Sequence, residues 1–380
     1  MSFDTEINFI RSCFQGEGFI PLHEPRFTGN GKKYVNEAID STFVSSVGKF
    51  VDQVETVIAI KTGTAKAVAV VNGTAALQVA LRLVGVKPGD EVITQALTFV
   101  ATVNAIVYNG AHPVFIDVDL ETMGLSPMAL ENFLEEHCEL REGRCVNKKT
   151  KRVIRACVPM HTFGFMVHMD ELEMVCAKWN IAIVEDAAEA LGSSYKGAPA
   201  GSFGRLSALS FNGNKIITAG GGGAIASNDE ELAKKAKYLT TTAKVPHSWD
   251  YFHDELGYNF RMPNLNAALL CGQFENLEAF VESKRDLAIT YAGFFAERGI
   301  KFRVEPSETK SNYWLMCVEL SSEKDRDAFL KETNAKSVMT RPIWKLMCDL
   351  PMYKNCQTDL LQNAKFLEKR VVNIPSSVRI

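Results

Sequence analysis

The sequence is short of the features that mark membrane, secreted, metal-binding and nucleic-acid-binding proteins. No window holds the roughly 18 consecutive apolar residues of a membrane span. The opening, MSFDTEINFIRSCFQGEGF, has early acids and no long apolar centre, so it does not read as a secretory signal. Lys and Arg total 42 against 45 Asp and Glu, a formal balance of −3. That is not the basic excess that nucleic acid selects. There is no C-x-x-C and no H-E-x-x-H, and zinc sites usually show such closely spaced ligand pairs, so no metal is expected. No G-x-G-x-x-G follows the first strand-like segment, which argues against a dinucleotide-dependent dehydrogenase. The nine cysteines are odd in number and scattered, and read as reduced thiols of a cytoplasmic protein, several buried as small hydrophobes.

What the chain does have is alternation. At 380 residues it exceeds what one core usually serves, so two domains are expected. From Lys66 short apolar runs alternate with helical stretches. KAVAVV, DEVITQ, HPVFIDV, VIRACVPMH and IAIVEDAA read as strands, with LSALSF and GGAIAS as a following pair. GTAALQVALRLVGV and TFVATVNAIVYNG read as helices, the second stopped by Asn109 and Gly110. This spacing means βαβ units, a mostly parallel sheet flanked by helices, and an α/β fold class. Glu142–Arg152 reads as a solvated charged loop and Lys244–Met262 as a long aromatic loop. One continuous helix is expected from Asn264 to Gly299. Strand and helix then alternate again in a smaller unit. The chain is divided accordingly into a large domain with the N-terminal segment, 1–255, and a small C-terminal domain, 256–380.

Three features fall where parallel sheets build sites, beyond the carboxyl ends of strands. Asn72-Gly73-Thr74-Ala75-Ala76 joins a strand to a helix start, which reads as an anion nest or as a plain N-cap turn. Asp186, after Glu185, ends the strand IAIVED, where a carboxylate can bind, accept a proton or cap the next helix. Lys215 stands between LSF and the run Gly220–Gly223; alone, a lysine is usually a solvated surface group. Together the three suit one cofactor. Pyridoxal 5'-phosphate has a phosphate to anchor, a ring nitrogen to keep protonated, and an aldehyde that forms a Schiff base with lysine.

Over nearly its whole length the chain also resembles the DegT/DnrJ/EryC1/StrS sugar aminotransferases, which have the fold-type I architecture of pyridoxal-phosphate enzymes. The resemblance rests on VNGTAALQVAL, TFVATVNAI, PVFIDVD, VEDAAEALGS, LSFNGNKIITAGGGG, GYNFRMPNLNAAL and TRPIW. It implies Lys215 as the Schiff-base lysine and general base, and Asp186 as partner of the pyridine nitrogen. Glu189 takes a position near the phenolic oxygen that is often His or Gln in relatives. Gly73, Thr74, Ala75 and Ser210 would hold the phosphate. Phe99 would stack on the cofactor ring or simply pack at a helix start. Asn259 would reach a neighbour's phosphate across a homodimer interface, with Arg261 nearby. His161 either faces the substrate or is a buried structural histidine. The four glycines would let the backbone turn tightly beside cofactor and neighbour.

FIPLHEPRF, GKFVDQVE and HSWDYFHDELGYNFRM are similar to the LegC-like group. This implies transfer of an amino group from glutamate to C4 of a UDP-linked 4-keto-6-deoxy-N-acetylhexosamine, in legionaminic-type nonulosonate synthesis. The alternatives are a sibling enzyme acting at C3 or on dTDP- or GDP-linked sugars, and a non-catalytic binding protein of the same fold. Lys215 argues against the subgroup that carries histidine there and dehydrates. Two positions depart from the usual pattern: Gly31 where Glu is common, and Val54 where Phe is common. Neither lies in a cofactor motif.

Overall fold

The computed structural model describes residues 2–14 and 18–379. Seven strands make the central sheet: β1 (Lys66–Val70), β2 (Glu91–Gln95), β3 (His112–Ile116), β4 (Ile154–Val158), β5 (Ala182–Asp186), β6 (Leu206–Ser210) and β7 (Gly223–Ser227). Their spatial order is β1-β7-β6-β5-β4-β2-β3. β7 runs antiparallel to both its neighbours, β1 and β6. The pairs from β6 through β5, β4 and β2 to β3 are parallel. Helices cover both faces, so the strands are apolar throughout rather than alternating. All five residues of β2 and of β7 are buried. After α1 (Asp4–Ser12), α2 (Gly31–Asp40) and α3 (Lys49–Thr62), α4 (Gly73–Leu83) shows how local signals set an element. Asn72 caps it by accepting from the Ala75 N–H, and Ala76, Leu77, Val79, Ala80 and Leu81 form its buried stripe. α5 (Val100–Tyr108) ends at Asn109, and Gly110 takes a φ of +71°.

Two sequence expectations fail here for local reasons. The long helix after Pro263 is two helices, Asn264–Phe274 and Leu277–Glu297. They break at Asn276, whose amide donates to the Gly272 carbonyl and whose carbonyl oxygen accepts from the Thr28 hydroxyl. An asparagine side chain that competes for backbone groups interrupts a helix in this way. Glu142–Arg152 is only partly a solvated loop. Arg144–Asn147 pairs with Cys138–Arg141 in a hairpin, and Cys145, Val146 and Asn147 are buried. The charges that made the segment look solvated flank the turn.

A second sheet of four antiparallel strands lies in the C-terminal part: β8 (Lys301–Phe302), β9 (Met316–Glu319), β10 (Arg341–Pro342) and β11 (Val371–Ile374), in the order β8-β9-β11-β10. The first helix, Asp4–Ser12, packs on this part. Phe3 meets Phe329 edge to face, Phe9 stacks on Phe294, and Arg298 bonds Glu6. The division at 255/256 stands as a proposal about chain organisation, and these contacts bind the N-terminal segment to the C-terminal unit. Gly31 begins the helix Gly31–Asp40 against Gly272, where a side chain on Gly272 would meet the Gly31 backbone at 2.5 Å. The two glycines let the helices approach closely. Val54 is fully buried. All nine cysteines are free, five of them buried. No helix of the described residues is long and apolar enough to cross a membrane.

Candidate active site

The carboxyl ends of β1, β5 and β6 and the starts of α4 and α5 open into a cavity of about 790 Å³. Gly73, Thr74, Phe99, Asp186, Glu189, Ser210 and Lys215 all line it. These residues span 143 positions of the chain, from 73 to 215, and the parallel sheet brings them to one edge.

The floor is the N-terminus of α4. Asn72 Oδ1 accepts the Ala75 N–H at 2.8 Å, and the Asn72 carbonyl accepts the Ala76 N–H. Ala75 is therefore turned inward and does not line the cavity, which corrects its expected part in phosphate binding. Gly73 and Thr74 remain, with the Thr74 and Ser210 hydroxyls beside them. A side chain at Gly73 would stand 3.0 Å from Ser210 Cβ and 3.2 Å from the Leu209 carbonyl oxygen. Glycine there keeps the cradle open and lets helix and strand meet.

The glycine run follows from the same close approach. A Cβ on Gly223 would collide with the Asn72–Gly73 peptide, so β7 can lie against the cradle only as bare backbone. Gly220 and Gly222 have φ values of +76° and +153°, which side chains disfavour.

Asp186 is buried at the end of β5. Its Oδ2 accepts the Thr102 hydroxyl at 2.7 Å and its Oδ1 the Ala188 N–H at 3.2 Å. Burial raises its proton affinity above the ordinary aspartate value, against these two bonds and the nearby charge of Lys215. Glu189 is buried beside it. Its Oε2 accepts the Phe163 N–H at 3.0 Å, and its Oε1 lies 3.3 Å from Lys215 Nζ. Burial pushes the Glu189 carboxyl up to about 7; Lys215 and the Phe163 N–H oppose this, and Asp186 adds to it. Phe163 holds its position with a φ of +58°, a conformation a bulky residue adopts at a cost of about 1–2 kcal/mol.

Lys215 has a second partner that sequence reasoning missed. Its ammonium stands 3.9 Å from the centroid of the Trp314 ring, a cation–π contact. Trp314 is itself tied down. Its indole N–H donates to the Asn214 carbonyl at 2.6 Å, and its backbone N–H donates to Asn312 Oδ1 at 2.8 Å. Asn312 in turn donates to the Glu189 and Leu191 carbonyls. Nothing local to SNYW marks it as part of a site, since Lys215 and Asn214 lie about a hundred residues earlier. Thr102 was legible in principle. It follows Thr98 by one helical turn in TFVATVNAI, which aims it at the end of β5. Trp344 also enters the cavity, with its ring 6.3 Å from Phe99.

Three expected residues lie elsewhere. His161 is fully buried and turned from the cavity: its Nε2 bonds Glu185 Oε1 at 2.9 Å and its Nδ1 accepts the Val167 N–H. Of its two readings, the structural histidine holds. Glu185 also accepts the Gly201 and Phe203 N–H groups, so this pair braces the far side of β5. Asn259 and Arg261 are exposed and bonded to each other at 3.0 Å, outside their own chain's cavity.

The residues present fit a phosphorylated pyridine aldehyde. The cradle of Gly73, Thr74 and Ser210 suits the phosphate, Phe99 a ring face, Asp186 a ring nitrogen, and Lys215 the aldehyde carbon.

Known proteins share the sequence pattern and the fold. The family model "DegT/DnrJ/EryC1/StrS aminotransferase family" matches residues 26–380. A GDP-perosamine synthase of Escherichia coli O157:H7 is 34% identical over 358 residues, covering 94% of this chain and 93% of that protein. A UDP-N-acetyl-3-dehydro-alpha-D-glucosamine 3-aminotransferase of Acidithiobacillus ferrooxidans is 32% identical, covering 78% of this chain and 72% of its own length. Among solved structures, S. venezuelae DesV superposes with a TM-score of 0.81 at 26% identity, over 91% of this chain and 89% of that one.

Proposed function

This chain belongs to the DegT/DnrJ/EryC1/StrS aminotransferase family, whose members depend on pyridoxal phosphate, and we propose that it transfers an amino group from glutamate to C4 of a UDP-linked 4-keto-6-deoxy-N-acetylhexosamine. The observation that carries the reading is Lys215, set between Glu189 and Trp314 at the mouth of the Asp186 pocket. The motifs FIPLHEPRF, GKFVDQVE and HSWDYFHDELGYNFRM favour the UDP-linked sugar and a product of the legionaminic type. The identity to GDP-perosamine synthase supports a second reading, the same transfer to a GDP-linked 4-keto sugar.

When bound, the cofactor supplies an aldehyde carbon that takes up amino nitrogen and a ring that withdraws electrons. The protein's part is holding and proton movement. Gly73, Thr74 and Ser210 anchor the phosphate at the positive end of α4. Asp186, fixed by Thr102, holds the proton on the ring nitrogen. Lys215 Nζ would take the α proton of the amino donor in one half-reaction and supply a proton to the acceptor carbon of the keto sugar in the other. Glu189 lies within reach to share that proton, and Trp314 bounds the path of the Lys215 side chain.

A homodimer belongs to the same proposal. The exposed loop carries Trp249, Tyr251 and Leu256, each at least 75% exposed, next to the exposed Asn259 and Arg261. Apolar surface of this kind is commonly covered by a partner.

The test is the visible spectrum of the purified protein before and after glutamate, followed by a panel of UDP-, GDP- and dTDP-linked keto sugars. A yellow protein that bleaches with glutamate and regains colour with the UDP-linked 4-keto sugar is the expected result. Recovery with the GDP-linked sugar instead would install the second reading. A protein that stays colourless with added pyridoxal phosphate would overturn both.

A further inference from the structure

The outer half of the cavity is built by the C-terminal unit, and four cations line the whole. Three are neutralised within the chain: Lys215 by Glu189, Arg326 by Glu323 and Asp327, and Lys345 by Glu368. The fourth, Arg341, has no acidic partner among the described residues. Its only bonds run from one terminal nitrogen, to Asn334 Oδ1 at 3.2 Å and the Thr340 carbonyl at 3.0 Å. Arg341 is exposed, and its other terminal nitrogen and Nε have no partner among the described residues.

A second observation falls at the same place. Arg341 on β10 pairs directly with Asn373 on β11. Directly opposed residues of an antiparallel pair project from the same face, with Cβ atoms roughly 4.5–5.5 Å apart. Asn373 also lines the cavity, is 3% exposed, and carries a buried Nδ2 with no hydrogen-bond partner. Buried donors are almost always satisfied, so an orphan calls for a missing acceptor. A guanidinium fork with free donors and an amide whose Nδ2 lacks an acceptor lie side by side on one face, beside Trp344 in the cavity lining.

We propose that Arg341 and Asn373 form an oxyanion subsite that anchors one substrate in the outer cavity. The ligand chemistry is a carboxylate or phosphate oxygen pair, the group that an arginine fork binds with two parallel hydrogen bonds. The proposal rests on the function proposed above, where two substrates carry such groups: the amino donor through its carboxylates and the nucleotide sugar through its diphosphate.

The experiment uses the cofactor-loaded protein, wild type against Arg341→Gln, Arg341→Lys and Asn373→Leu. Three probes are titrated: glutamate by absorbance, and UDP and inorganic pyrophosphate by calorimetry. Loss of one charge-assisted bond pair weakens binding on the order of 10- to 100-fold. Weakened glutamate with unchanged UDP and pyrophosphate supports the subsite and identifies the donor carboxylate. Weakened UDP and pyrophosphate with unchanged glutamate supports it and identifies the diphosphate. In either case Arg341→Lys retains part of the affinity, and Asn373→Leu weakens the same probe by a smaller factor. If Arg341→Gln changes every probe by less than about fivefold, the subsite is overturned while the proposed function stands. If wild type fails to respond to glutamate, the proposed function falls, and pyrophosphate alone decides for Arg341 by the same threshold.

Discussion

Lys215 Nζ stands 3.3 Å from Glu189 Oε1, and both groups are largely shielded from water. The pair joins a loop after β6 to the segment after β5. It sets a group that must exchange protons beside a carboxyl whose proton affinity burial has raised to about 7. Near neutral pH such a carboxyl is divided between its two forms, which is the condition for passing a proton in either direction.

Replacing Lys215 by Ala or Arg should abolish turnover and the colour change with glutamate. Arginine keeps the charge but cannot give up its proton or attack a carbonyl carbon. Absorbance and product assays on both variants check this. Near-normal activity in either would remove Lys215 from the chemistry.

Glu189 should leave a signature in stability. Its folded value, about 7, lies above the ordinary 4.5. Between those values the folded protein keeps a proton that the unfolded chain has released, so stability falls as pH rises through that window. The fall is at most roughly 3 kcal/mol. Glu189→Gln should lack it. Urea unfolding of the cofactor-free proteins at pH 5, 6, 7 and 8 measures the difference.

Thr102→Val should weaken cofactor binding on the order of tenfold, through loss of the hydroxyl that Asp186 accepts. With that bond gone, the ionised form of Asp186 is less favoured than before. Equilibrium dialysis of pyridoxal phosphate reads the affinity. Unchanged affinity would show that Thr102 only packs α5.

The glycine run should be uneven in its tolerance. Gly223→Ala drives a methyl into the Asn72–Gly73 peptide and should cost more than about 2 kcal/mol. Gly221→Ala meets nothing within 4 Å and has no left-handed φ, so it should be nearly neutral. Melting temperatures of the two variants, side by side, test whether close approach is what selects glycine at 223.

Lys284 makes a fourth link in the support of Trp314. It is fully buried and donates to the Trp314 and Ser376 carbonyls. Burial pulls its proton affinity down to about 7. From there up to about 10.4, its unperturbed value, the unfolded chain holds a proton that the folded protein has lost. Stability contributed at this site therefore rises with pH across that window. Wild type should gain on Lys284→Met between pH 7 and 9. Lys284→Met removes this pH dependence and leaves two buried carbonyls without their donor, at about 1–3 kcal/mol each, so urea unfolding of both proteins should show the variant's stability falling relative to wild type from pH 7 to pH 9.

The sequence by itself determined the strands of the central sheet and marked several of the residues that line the cavity. Apolar runs of about five residues at βαβ spacing marked doubly covered, mostly parallel strands, but not that β7 enters between β1 and β6 antiparallel to both. The caps and stops that shape α4 and α5 lie within a turn of where they act. Gly73, Thr74, Asp186 and Lys215 were legible as features beyond strand ends, while Glu189 and Ser210 were marked only by the family resemblance, and the fold carries all six to one cavity. Only the tertiary structure decided the rest. That Ala75 faces inward depends on which N–H the Asn72 side chain takes. That His161 points away depends on Glu185 lying behind β5, a choice between two faces that a continuously apolar strand does not reveal. The helix break at Asn276 depends on Thr28. Arg341 and Asn373 lie on the second sheet and Trp314 just before its strand β9, all distant in sequence from the first sheet. Periodicity and spacing report what a residue does to its near neighbours. Which surfaces then meet is set by packing between elements, and that is where the far wall of this cavity is made.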